Sequence, residues 1–560
     1  MRLNLKQVLI IAYLLCDHGT VLARITALGP SFSLALFIGL YALTAASLFL
    51  TASIRNTPTR LTFAAIFAMG SIVLQSYEWG TRQKLTYSAF LMLIDSRGDI
   101  GDALYQYGPT LQTVVPLGLL LFVALALPPR QDRLPGWLTA SAPITTVALL
   151  TAILFYRGGE GAQALPAPFA PAAYAIIQGG VALTTKTGRD PVTLPRTSRT
   201  DDRDIILIVD ESISAQYFDI NHPDGVRTGL GDKPRGISIT NYGYAAAILN
   251  CSAGSNATLR FGGTRENYRR MATAGPTIWS YARQAGMKTA YLDAQRNHGE
   301  LQNLMTPQEL TEIDDFVQMD DVPILERDVT LAAMIAQYTR NGRADFVYVN
   351  KVGGHFPVHD RFPDSMMQYR PTLHRGQYVH ASDTGQKKGF AGTPEDWRRY
   401  RNSYRNTLLW NVGEFFDRLF AKADFSRATM IYTADHGQDL HERNTPGSGT
   451  HCGTNPAQEE GLVPLVVLEG DGAATLDWKR HIATNRNAMS HYRIFPTLLA
   501  LMGYRQDSFR EEYGEPLTSP AKDPFTFNID YYTLLGRQPT WRKIELSRIP
   551  APPTSDYKSN

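Results

Sequence analysis

The sequence predicts two structural classes in one chain: an α-helical transmembrane domain of about five spans, then an α/β domain with a mostly parallel central sheet. Residues 1–155 hold long apolar stretches with few charges. After residue 200, five short β-branched runs recur with helically spaced segments between them. Polar residues able to do chemistry gather where those runs end. The resulting boundaries are a transmembrane helical domain over 1–155, a linker over 156–200 and an α/β domain over 201–560.

In the first domain, five apolar segments cover Val8–Leu28, Phe32–Thr51, Leu61–Gln75, Leu111–Leu127 and Trp137–Phe155. Several near the ~20 residues that cross a hydrocarbon core of ~30 Å. Asp17 and His18 interrupt the first segment and Arg24 lies near its end; polar groups at such depth face a bundle interior or a cavity. This segment is too long, and too closely followed by the next, for a cleaved signal peptide. Cys16, inside it, reads as a small buried residue.

Arg2 and Lys6 precede the first segment, Arg55 and Arg60 part the second from the third, and Arg130 and Arg133 part the fourth from the fifth. The positive-inside rule puts these regions in the cytoplasm. Five spans then leave everything after Phe155 on the outer side, together with the loop Tyr77–Pro109. A wholly soluble helical domain accounts poorly for five such segments. Between the domains, Gly158–Pro171 reads as a linker, and Ala173–Leu183 as a short helix on the membrane surface.

Composition narrows the function. A hydrophobic share of 44% with 19% charged residues describes a folded chain. A net charge of +3, without a dense Lys/Arg patch, gives nucleic-acid binding no footing. Three cysteines are too few for a disulfide-rich scaffold or a cysteine zinc module.

The five runs of the second domain are Ile205–Val209, Thr289–Leu292, Phe346–Val349, Met430–Thr433 and Pro464–Leu468, with helical spacing over Thr277–Gly286, Leu331–Asn341 and Glu395–Ala421. Apolar strands alternating with helices predict a parallel sheet covered on both faces, with its chemistry beyond the carboxyl ends of the strands. At those ends stand Asp210 and Glu211, the run Lys351-Val352-Gly353-Gly354-His355, and Ala434-Asp435-His436-Gly437; Thr450-His451-Cys452 precedes the last run. Glu211, Asp435, His436, His355 and His451 make a nitrogen and oxygen set suited to zinc, with manganese as the other ion. Singly each is ordinary: a loop histidine is usually a surface or core residue, and Asp-His-Gly after a strand is often a capped turn. Their recurrence at strand ends argues for a metal.

The segment Asn250–Leu259 begins small and polar and then becomes compatible with a helix. A serine at a helix start sits among unpaired N–H groups that favour phosphate, and a metal beside its oxygen would make it a nucleophile. Without a metal, Ser252 would be only an N-cap. Cys251 and Cys452 each adjoin a candidate residue; they form either a disulfide in an oxidising compartment or two unrelated buried thiols.

Four blocks, spread over most of residues 204–505, resemble the sulfatase-like branch of the alkaline phosphatase superfamily. Within it they are most similar to the membrane-bound lipid A phosphoethanolamine transferases, with lipoteichoic acid synthases more distant. The blocks are Ile208-Val209-Asp210-Glu211-Ser212; Cys251-Ser252-Ala253-Gly254-Ser255; Gly353-Gly354-His355-Phe356-Pro357 followed by Arg361-Phe362-Pro363; and Tyr432-Thr433-Ala434-Asp435-His436-Gly437 with His451 and Val463-Pro464. Tyr404-Arg405-Asn406 and Ser490–Leu498 look like two further helices of that family.

The resemblance implies that Glu211, Ser252, Asp435 and His436 surround one metal, while His355 and His451 face the donor phosphate or help to hold a second. It implies an enzyme of the bacterial inner membrane with its catalytic domain in the periplasm. Ser252 would take phosphoethanolamine from a membrane phospholipid donor and pass it to an envelope glycan or lipid A-like acceptor, with His355 or His451 as electrostatic partner or general acid. Ser252 stands where those transferases usually carry threonine, which is chemically equivalent. The few cysteines do not look like the several disulfides of the lipid A enzymes, which bears on the acceptor more than on the chemistry. A phosphoglycerol transferase or a phosphodiester hydrolase would share the same core. The Cys/Ser-x-Pro-x-Arg motif of sulfate ester hydrolases is missing in either register, counted from Cys251 or from Ser252. A non-catalytic envelope scaffold would have lost ligands; here all are present.

Overall fold

The computed structural model describes residues 4–553, apart from 82–83, 96–99, 130–133, 158, 160, 185–187, 198–202, 233, 376–389, 391, 445–448, 454, 472–475 and 530–538. The chain divides at residues 185/186 into two compact units.

The first unit is helical: α1 Leu5–Leu15, α2 His18–Leu28, α3 Phe32–Ala52, α4 Thr57–Thr81, α5 Tyr87–Asp95, α6 Ile100–Ala126, α7 Gly136–Tyr156 and α8 Phe169–Thr184. Phe32–Ala52, Thr57–Gly80 and Gly136–Tyr156 are long and apolar enough to cross a membrane, and α1 with α2 makes a fourth span if the bent pair counts as one. The described residues thus hold three or four candidate spans where the pattern suggested about five; Thr110–Ala126, the apolar part of α6, falls short. The expected first span is two helices bent by 54°. The break falls where Asp17 takes the N-cap position of α2 without a side-chain cap bond, and the His18 ring meets Leu15 O, a carbonyl at the end of α1, at 2.8 Å. Cys16, expected inside, is exposed at this break.

The loop foreseen over Tyr77–Pro109 is largely helical, because α4 runs on to Thr81, α5 follows and α6 begins at Ile100. Ile10, Leu48, Phe67, Leu121, Leu150 and Phe169 are buried together. The stretch read as a linker buries Ala162, Leu165 and Ala167 in the same core, and α8 adds Ala173, Tyr174 and Ile177. At one end of the bundle Lys6 donates to Ala52 O and, at 2.7 Å, to Leu127 O. Arg60 donates to Ala126 O at 3.1 Å and Ile54 O at 3.0 Å. These oxygens end α3 and α6, where a cation is favoured by the helix dipole. Arg2, Arg130 and Arg133 lie outside the described residues.

The second unit is built on one sheet: β1 Asp204–Asp210, β2 Ile237–Ala246, β3 Lys288–Asp293, β4 Asp315–Gln318, β5 Asp345–Asn350, β6 Ala428–Ala434, β7 Leu462–Gly470 and β8 Met489–Ser490. Their order is β4-β3-β5-β1-β6-β7-β2-β8. β1, β5 and β6 are buried along their whole length, as strands covered on both faces must be. β1 runs parallel to both neighbours, with Val209 opposite Asn350 and Asp210 opposite Ala434. β7 is antiparallel to β6, and β2 antiparallel to β7.

That reversal decides where the site forms. β1, β3, β5, β6 and β2 all leave the sheet at one edge, whereas β7 enters it there, so the residues before β7 reach the same edge as those after the others. The helices used below are α9 Ser252–Phe261, α10 Ile278–Gln284, α11 Arg327–Tyr338, α12 Pro394–Leu408 and α13 Phe415–Lys422. α12 and α13 occupy the single helix expected over Glu395–Ala421, with a π turn at Leu409–Glu414 between them.

Candidate active site

Residues following β1 and β6 supply Glu211, Asp435 and His436, all buried, whose ligand atoms lie within 4.8 Å of one another. Ser252 opens α9. Its Oγ donates to Glu211 Oε1 at 3.2 Å and lies 3.2 Å from His436 Nε2. The other His436 nitrogen, Nδ1, meets Gly437 O at 2.8 Å. In the neutral ring that binds a metal, a proton on Nδ1 satisfies that carbonyl and leaves Nε2 a lone pair aimed into the cluster.

His355 and His451 lie outside the tight group. The His451 ring stacks on His436, centroids 4.4 Å apart, and Thr450 Oγ1 meets its Nδ1 at 3.0 Å. His355 lies near enough to contribute to the lowering of the Glu211 carboxyl, with Nδ1 held 2.6 Å from Phe356 O. The structure therefore sets Glu211, Ser252, Asp435 and His436 together, His451 against them, and His355 within electrostatic reach.

The charges are mutually dependent. Burial and the charge of Glu211 push the Asp435 carboxyl up to about 8, against the pull of His436. Burial also raises Glu211, but hydrogen bonding and charge from His436 outweigh it and hold that carboxyl below the usual carboxylate range. Burial would depress the His436 imidazole, yet Asp435 and Glu211 carry it up to about 10. Two carboxylates packed this closely cannot both stay ionised without a cation. A divalent ion would satisfy both and leave the imidazole neutral, the form in which nitrogen binds metal. The donor set fits zinc or manganese.

A second layer holds these groups still. Lys351, fully buried, donates to Asp210 Oδ2 at 2.6 Å and to Asn411 O at 2.6 Å, and lies 3.7 Å from Asp328. Asp328 accepts the backbone N–H groups of Val352 and Gly353 at 2.8 and 2.9 Å. Gly353, at φ +51°, passes so close that a Cβ would come within 2.2 Å of Asp210 Oδ1; only glycine fits there. Tyr404 donates to Ser212 O at 3.0 Å and accepts from Ser214 N at 2.9 Å. A disulfide joins Cys251 to Cys452, 201 residues apart, so the residue before the serine is tied to the residue after His451.

Three side chains in contact with the cluster escaped the sequence reading: Ser212, whose Oγ donates to Glu211 Oε1 at 2.8 Å, and two carboxamides. Gln295 Nε2 donates to Glu211 Oε2 at 3.2 Å. Asn256 Nδ2 reaches Asp435 Oδ2 at 3.4 Å. Asn256 lies four residues after Ser252, one turn along α9, and Gln295 follows β3, a strand end assigned no candidate; those positions were the available signals.

The sulfatase family model matches residues 203–504. Among solved structures, the integral membrane lipooligosaccharide phosphoethanolamine transferase A of Neisseria meningitidis is similar over 89% of this chain and 95% of its own, at 15% identity and a TM-score of 0.63. The periplasmic domain of EptC from Escherichia coli, solved in complex with zinc, is similar over 61% of this chain and 93% of its own, at 14% identity and a TM-score of 0.47. The soluble domain of the Neisseria transferase is similar over 59% and 96%, at 18% identity and a TM-score of 0.45. These likenesses are of fold. No curated protein matches the sequence.

Proposed function

Because the chain belongs to the sulfatase family, matched over residues 203–504, we propose that it is a membrane-anchored, metal-dependent phosphotransferase that carries phosphoethanolamine from a phospholipid, through Ser252, to an envelope glycan or lipid acceptor. One observation carries this reading: Ser252 Oγ, at a helix start, lies 3.2 Å from both Glu211 and His436, in contact with the buried Glu211, Asp435, His436 group. The apolar helices of the first unit anchor the protein in the bacterial inner membrane, with the second unit in the periplasm. A phospholipid donor accounts for that anchor.

Glu211, Asp435, His436 and Ser252 would hold the ion, which when bound supplies Lewis-acid charge that acidifies the serine hydroxyl and offsets charge on the phosphoryl oxygens. Ser252 Oγ loses its proton to solvent and bonds to the phosphorus, and the P–O bond to diacylglycerol breaks. His355 or His451 gives the departing oxygen a proton. The hydroxyl of the acceptor then attacks the same phosphorus and returns a proton to that histidine. The Ser252–phosphorus bond breaks, and the serine takes up a proton again. The N-terminus of α9 favours the anionic group throughout.

Family membership does not make this a sulfate ester hydrolase. Formylglycine would have to form from Cys251 or Ser252; Cys251 is spent in a disulfide, and neither register carries the proline and arginine of that motif. The test is intact mass after incubation with defined phospholipids, wild type against Ser252→Ala. A phosphoethanolamine-sized adduct on wild type alone is expected. A phosphoglycerol-sized adduct would move the donor to phosphatidylglycerol, and no adduct with any phospholipid on metal-loaded protein would sink the transferase reading.

A further inference from the structure

Glu211 and Asp435 are each met by one carboxamide. Gln295 Nε2 donates to Lys351 O at 2.7 Å and to Glu211 Oε2 at 3.2 Å, with Asn350 Oδ1 a more distant third acceptor at 3.4 Å. Asn256 Nδ2 donates to Ser252 O at 3.1 Å and reaches Asp435 Oδ2 at 3.4 Å. Tyr348 gives its hydroxyl proton to Asn256 Oδ1 at 2.8 Å, which sets which end of the amide faces Asp435. The two amides come from different elements, α9 and the turn after β3, yet each bonds a backbone oxygen and one carboxylate.

Adjacent acids show why the partners are neutral. Asp210 and Glu211 are neighbours, both buried. The buried ammonium of Lys351 goes to Asp210, which lies outside the metal-binding group, and Glu211, inside it, receives an amide. A lysine or arginine on Glu211 or Asp435 would compete with the ion for carboxylate charge. A carboxamide orients the oxygen and leaves that charge for the metal.

We infer that Asn256 and Gln295 are positioning residues for the metal centre, fixing Asp435 and Glu211 in the orientation that binds the ion beside Ser252. This rests on the transferase reading for its chemistry and on the donor set for the ion itself. In the full-length protein, cobalt binding followed by its visible absorption, and zinc binding by chelator competition, would be compared for wild type, Asn256→Ala, Gln295→Met and Tyr348→Phe. Each amide variant should weaken metal binding about 10- to 100-fold, shift the cobalt bands and regain adduct formation at saturating metal. Tyr348→Phe keeps the volume and only frees the amide to turn, so it should weaken binding by a smaller factor and serves if Asn256→Ala does not fold. Metal affinity within twofold of wild type, with a raised KM for the lipid, would show that the amides bind substrate and overturn the inference. Wild type that binds metal and forms no adduct would defeat the transferase reading, and the titrations would still judge the amides.

Discussion

Lys6 and Arg60 in the helical unit end on backbone carbonyls at the close of α3 and α6, whereas Lys351 in the α/β unit, besides one backbone carbonyl, Asn411 O, meets the carboxylates Asp210 and Asp328. The first arrangement uses partial charges that any helix terminus supplies, whatever its side chains. The second needs two particular acids on two other elements, and it joins the exits of β1 and β5 to the start of α11. A helix end therefore tolerates loss of its cation better than the sheet edge does, since an acid left buried alone is costly. Lys6 and Arg60 finish elements, whereas Lys351 ties several elements together beside the candidate site.

The largest effect should come from matched substitutions that break this contrast. Lys351→Met is expected to destabilise the α/β unit by about 3–5 kcal/mol, because it leaves a buried carboxylate unpaired. Lys6→Met should cost the helical unit only about 1–2 kcal/mol. Chemical unfolding of the full-length protein, followed by fluorescence and by proteolysis within each unit, compares the two; equal losses would erase the distinction. Reduction comes next. Opening Cys251–Cys452 should lower α/β-unit stability by about 2–4 kcal/mol and leave the helical unit unchanged, read as the melting temperature of each unit with and without a phosphine reductant.

The smallest effect at neutral pH sharpens the comparison from the side of burial alone. His491 is fully buried against Thr433 Oγ1 at 2.7 Å, and burial pushes its imidazole down to about 3. Between pH 3 and its ordinary value of 6.5, the unfolded chain binds a proton that the folded one does not. Stability from this group is therefore complete above about 6.5 and is lost as pH falls toward 3. His491→Gln should flatten the dependence of unfolding free energy on pH within that window, and an unchanged slope would contradict it.

The two units also differed in how much the sequence revealed. Five of the eight strands of the central sheet announced themselves as β-branched runs because they are buried on both faces. β2 did not: Asn241, Tyr242 and Gly243 interrupt it, its register shifts between Asn241 and Tyr244, and Gly243 sits at φ +74°, the local signature of a turn. β8, two residues long, is held by its neighbour alone. In the helical unit, hydropathy found the apolar stretches but not the bend at Asp17, nor the burial of Ala162–Ala167 by contacts distant in sequence.

At the site, acids and histidines after strands were conspicuous because few other residues bind metal. Asn256 and Gln295 were less so, since one turn past a serine and two residues past a strand are weak signals for an amide, which acquires its role from what it touches. The Cys251–Cys452 pairing stood open in the sequence because two cysteines 201 residues apart carry no record of their distance in space.

That separation has a consequence for how the protein is made. Cys452 is made 201 residues after Cys251, so the clasp beside Ser252 can close only once β1 to β6 have been synthesised. The chain has one other cysteine, Cys16, and it belongs to the helical unit. Within the α/β unit Cys251 has one intramolecular partner, and until Cys452 has been made the segment carrying Ser252 is not clasped to the one carrying His451.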